Sequence, residues 1–112
     1  MKTTEEIQNK ADELTASLGV KVHPLVFKLK DSDEQVIGYL KEPPRFMKLR
    51  VMDKGLTEPM TAASTIVDAY IIKEHSDPRI YSEAAENDPY YMGATMEAYN
   101  LIQLAVNQFK KK

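Results

Sequence analysis

The chain has 112 residues, 15 basic and 17 acidic side chains, six methionines, six tyrosines, and neither cysteine nor tryptophan. That length suits one domain able to bury about two-thirds of its unfolded surface. Without cysteine there is no disulfide framework, thiolate nucleophile or sulfur-ligated zinc site. A net charge of -2 argues against a protein that lives on phosphate backbones, which calls for a basic excess.

Thr3-Thr4-Glu5-Glu6 turns polar and acidic where a secretory leader would turn apolar. No apolar run approaches the roughly 20 residues of a membrane span, so the expectation is a cytoplasmic protein without a membrane partner. Thr3 and Glu6 have the spacing of a capping box. Behind them Ile7, Ala11, Leu14 and Leu18 recur at helical intervals, and Gly19 supplies the stop. The stripe is narrow. It predicts a helix at the edge of the core or held by a partner, with residues 1–19 as a loosely packed arm.

Leu25, Phe27 and Leu29 alternate with Val26, Lys28 and Lys30, the period of a strand with one wet face. Asp31-Ser32-Asp33-Glu34 reads as a polar turn and Gln35 to Leu40 as the returning strand. Lys41-Glu42-Pro43-Pro44-Arg45 ends the strand and opens a helix, since proline is tolerated in a first helical turn. Phe46, Leu49 or Arg50, and Val51 form its stripe, and Gly55 stops it. A longer helix is predicted from about Thr57-Glu58-Pro59, with Met60, Ala63, Val67, Tyr70 and Ile71 as its buried face.

Asp77-Pro78 and Asp88-Pro89 repeat one helix-start signal. The first predicts a short helical turn ending near Asn87, the second a final helix from Pro89 to about Phe109. Met92, Met96, Tyr99, Ile102 or Gln103, and Val106 keep helical spacing there, with Gly93 a weak point. The sum is one α+β domain over residues 1–112: an N-terminal helix, then one β-hairpin packed on a small bundle of three to four helices.

Catalytic chemistry finds little purchase. His23 and His75 stand alone, and His75-x-Asp77 supplies two metal ligands where three or four are needed. Ser64-Thr65 lacks the glycines of a nucleophile elbow. Asp68, between Val67 and Ala69, has no cation one turn away. Four scattered glycines cannot cradle a phosphate. The expectation is a protein with no enzymatic activity, metal or cofactor.

Binding residues are easier to nominate. Residues 21–52 carry seven basic and four acidic side chains, whereas 53–97 carry nine acidic and three basic. Lys41, Arg45 and Lys48, spaced by four and three, would share one helix face as a basic strip. Tyr90-Tyr91-Met92 cannot all face one core, and Tyr and Met are favoured at interfaces. These six residues are the candidate partner-binding positions.

The segment Gly38-Tyr39-Leu40-Lys41-Glu42-Pro43-Pro44-Arg45 joins the hairpin to the helical body. A long helix, the loop Ser76-Asp77-Pro78-Arg79-Ile80 and a lysine-ended final helix follow. This order, over most of residues 22–110, resembles the small tail assembly chaperones of long-tailed bacteriophages, where a Gly-Tyr-Leu-Lys-x-Pro-x-Arg segment makes the same junction. The chain departs from them in its added N-terminal helix and in lacking a glycine-rich acidic loop after the long helix. The resemblance implies a non-catalytic protein of the host cell cytoplasm. Such a protein binds the aggregation-prone tape-measure protein and delivers it to tail-tube subunits during virion morphogenesis. Homo-oligomerisation stays open. The alternatives are a structural virion subunit and a small regulatory or nucleic-acid-binding module.

Overall fold

A computed structural model describes residues 2–54 and 58–106. Helix α1 (Thr4–Leu18) starts with the expected capping box: Thr3 Oγ1 accepts from Glu6 N–H, and the Glu6 carboxylate accepts from Thr3 N–H. It ends on Gly19 at φ 74°, the left-handed conformation that glycine adopts without a Cβ penalty.

Strands β1 (Val22–Phe27) and β2 (Val36–Lys41) pair antiparallel, with Leu25 opposite Gly38 and Val26 opposite Ile37. Because opposed residues share a face, the hairpin sorts into two sets. Leu25, Phe27, Val36 and Leu40 pack into the main core; Val22, Val26, Ile37 and Tyr39 pack into a second cluster with Ile7, Ala11, Leu14 and Ile72. The expected wet face is therefore covered, and α1 is its cover rather than an arm. Ile7, Ala11 and Leu14 are buried, whereas Leu18, beyond the hairpin's reach, is 45% exposed. Both ends of α1 are pinned. Lys2 and Gln35 exchange two hydrogen bonds at 3.1 Å, and Val22 N–H donates to Thr15 Oγ1 at 2.9 Å.

β1 stops three residues short of Lys30. A turn begins early there, with Ser32 N–H donating to Leu29 O and Asp31 at φ 64°. The outer edge of β2 is sealed by the segment after α3: Ile72 N–H donates to Tyr39 O, Asp77 N–H to Ile37 O, and Tyr39 N–H to Ser76 Oγ.

Helices α2 (Arg45–Lys54), α3 (Pro59–Tyr70) and α4 (Asp88–Val106) close the other side. Lys41 lies in β2, and Pro43-Pro44 separates it from α2, so the basic strip is not one helix face. In α2 the buried pair is Met47 and Val51, at i, i+4; Phe46 and Leu49 point outward at 62% and 50% exposure. In α3, Ala62, Ala63, Ile66 and Val67 turn inward while Met60 does not. In α4 the core face is Ala94, Ala98 and Ile102; Met92 and Met96, expected there, are exposed. Small side chains on facing helices let α3 and α4 approach closely, which leaves the methionines no room in the seam.

Asp77 caps a turn rather than a helix, its carboxylate accepting from Arg79 N–H at 3.0 Å; a 3-10 turn, Ala85–Asn87, then leads into α4. The expected stop at Gly55, start at Thr57 and end at Phe109 lie outside the described residues, as does the lysine tail. No helix among the described residues is long and apolar enough to cross a membrane.

If α1 is part of the core, Leu14→Ala should cost about 2–3 kcal/mol in urea unfolding. Leu18→Ala should cost no more than about 0.5 kcal/mol. Equal, small effects at both positions would return α1 to the status of a loose arm.

Candidate protein-docking surface

An exposed apolar ridge stands on α4. Met92 is 62% exposed and Met96 57%, one turn apart on the same face. On one side of the ridge a groove of about 340 Å³ runs to α3, lined by Met60, Thr61, Ser64, Tyr91 and Thr95 besides the two methionines. Thr95 is buried and spends its hydroxyl on Tyr91 O at 2.9 Å, so the groove wall presents its methyl group. Met60, 42% exposed, forms the far bank.

On the other side a shallower depression of about 480 Å³ lies between α4 and the end of β1. Phe27 lines it, and its ring packs against Gly93. A Cβ at position 93 would sit 2.4 Å from a ring carbon, so only glycine admits the ring there. Gly93 is thus less a weak point of the helix than the seat of Phe27. Lys28, Leu29 and Lys30 form the outer wall, Glu97 and Asn100 the helix wall. Burial pushes the Glu97 carboxyl above its usual range.

The nominated residues divide. Met92 sits on the ridge, and Tyr91 lines the α3 groove while its hydroxyl donates to Asp68 Oδ1 at 2.9 Å. Tyr90 faces elsewhere: the Arg79 guanidinium stacks 4.3 Å from its ring centroid and donates to its hydroxyl at 3.1 Å. Lys48 is held at 2.6 Å from Glu42, which also pairs with His23, so it is not a free cation. Lys41 and Arg45 are exposed on different elements. Met60, Met96, Lys28 and Lys30, which share these two depressions with Met92, are not among the nominated residues. The available signal was Ala94 and Ala98, a small-residue stripe at i, i+4 that competes with the methionines for the core.

A third cavity, of about 440 Å³, has Val67, Ile71 and Ile80 on its floor and Asp68, Glu83 and Asp88 among its polar lining. Among the described residues no three His, Asp or Glu side chains are grouped to hold a metal ion. His75 ends an exposed 3-10 turn.

Two ion clusters link elements of the frame. Arg79 joins Asp77 to Glu34, tying the hairpin turn to the loop before α4. Hydrogen bonding to Arg79 holds the Asp77 carboxyl below its usual 3.8. For Glu42, burial works upward, but hydrogen bonds from Lys48 and His23 outweigh it and leave the carboxyl below its usual 4.5. A carboxyl depressed in the folded state stabilises above its unfolded pKa, and that stability is lost as pH falls through the folded value. The melting temperature should therefore decline progressively once pH drops below about 5. Asp77→Asn should lower it at pH 7 and flatten the decline; an unchanged acid slope would show that this pair does not couple to folding.

No protein-family model matches the chain, and neither the curated proteins nor the solved structures contain a match to it.

Proposed function

We propose that the chain is a non-catalytic, chaperone-like protein that covers an apolar helical segment of a client during assembly. The observation that carries this reading is the exposed Met60, Met92 and Met96 around one groove. Thioether side chains are flexible and polarisable, so one groove can repack against helices of differing sequence. A helix laid in it would bury its i, i+3 or i+4, and i+7 residues, the helix-in-groove mode. The seam of alanines beneath leaves the methionine side chains on the surface around the groove.

The finer reading is a phage tail assembly chaperone acting in the host cytoplasm on a tape-measure or tail-tube protein. It rests on the Gly38–Arg45 junction and on the order of elements around it. A tape-measure protein is long, helical and aggregation-prone, the client that such a groove would serve.

The test is to express a tape-measure protein encoded in the same genome, alone and together with the chain. Soluble client should rise severalfold with the wild type and not with the Met92→Ser/Met96→Ser double variant, whose changes are at exposed positions. The chain should be missing from finished particles. Client that aggregates regardless would overturn the reading. A stoichiometric copy of the chain in purified particles would favour a structural virion subunit instead.

A further inference from the structure

The depression beside Phe27 says what kind of client segment the ridge would accept. Strand addition is closed off first. On the outer edge of β2 the N–H and carbonyl of Tyr39 and the carbonyl of Ile37 are already bonded to the segment after α3. Along the outer edge of β1, Val22 N–H is taken by Thr15, and the next outward residue, Pro24, has no N–H to offer. An extended peptide thus finds no edge with consecutive free donors. The recognition mode left is a helix against the α4 ridge.

Charge around the ridge is asymmetric. Lys28 and Lys30 are exposed on either side of Leu29 on the outer wall, and neither forms an ion pair among the described residues. The one carboxyl among the described residues of the same lining, Glu97, is half-buried, and its burial already disfavours the charged form. Two free ammonium groups therefore face whatever lies on Met92 and Met96, against one reluctant carboxylate. An apolar ridge flanked by cations complements an amphipathic helix whose apolar stripe is bordered by Asp or Glu.

We propose that this surface selects an acidic amphipathic helix, with its apolar stripe on Met92 and Met96 and its flanking carboxylates against Lys28 and Lys30. The inference rests on the helical-client reading above and adds the chemistry of the partner. Affinity comes from the methionines, and orientation and selectivity from the lysines, because exposed charges discriminate more than they bind. Glu97 acts in the opposite sense, repelling the same carboxylates.

The experiment is an anisotropy titration of the full chain with three labelled helical peptides of about 18 residues, long enough to hold helical structure. They share one leucine stripe and differ only in flanks of Glu, Gln or Lys. At about 0.05 M salt the Glu peptide should bind roughly tenfold tighter than the Lys peptide, and at about 0.5 M the difference should largely vanish. Lys28→Glu/Lys30→Glu should reverse the order, and Glu97→Gln should tighten the Glu peptide. Met92→Ser/Met96→Ser should weaken all three while leaving the circular dichroism and melting temperature unchanged. Equal binding of the three peptides, lost in the methionine variant, would overturn the acidic preference and leave the helical-client reading standing. A preference for the Lys peptide would likewise overturn it and identify Glu97 as the selecting group. No binding of any peptide at about 1 mM, the weak end of specific association, would overturn both.

Discussion

The hairpin is apolar on both faces, and everything else is arranged around that. Two strands alone cannot persist in water. Here Leu25, Val36 and Leu40 enter the core against the helices, while Val22, Ile37 and Tyr39 need a second cover. α1 supplies it with three buried side chains and two polar clamps, at Gln35 and Thr15. The match is not perfect: the Tyr39 hydroxyl is buried without a partner among the described residues, and burial raises its pKa. An orphaned hydroxyl costs about 1–3 kcal/mol.

With both faces and the outer edge of β2 occupied, the surface left for recognition is helical. The α3–α4 seam is built from alanines with Ile66 and Ile102, so the two helices sit close and the bulky methionines are expelled to the outside. The same choice that tightens the core creates the ridge. The hairpin then adds a wall to it, because the Phe27 ring can rest only where Gly93 leaves space. Arg79 fixes the hairpin turn to the loop before α4 through Glu34 and Asp77, holding that wall in register with the helix. Core packing, hairpin placement and groove geometry are therefore one problem with one solution.

Much of the fold could be read along the chain because its signals are local. The Thr3–Glu6 capping box, the Gly19 stop, the antiparallel hairpin and the Asp88-Pro89 helix start all lie within a few residues of their consequences. What could not be read was which apolar residues win the core. Met92 and Ala94 are both apolar at acceptable spacing, and only the facing Ala62 and Ile66 decide that the small side chain goes in. The second face of the hairpin was misread for a related reason. Val26, Lys28 and Lys30 look wet as a set, yet the ladder ends at Phe27, and the two lysines never belong to the paired strand. Lys41, Arg45 and Lys48 likewise share a period but not an element. A Tyr-Tyr-Met run must expose something, and Met92 is the residue it exposes most. Met60 and Met96 were missed because they were spent on the core.

Methionine methyl resonances offer the most direct test of the central claim, that the ridge on α4 is where a partner binds. Met47 is buried at 7% exposure, whereas Met60, Met92 and Met96 ring the groove. On titrating a helical client peptide, the account requires the Met92 and Met96 methyls to shift and broaden first, Met60 with them, and Met47 to stay in place. A shift of the Met47 methyl with the three groove methyls unmoved would contradict it.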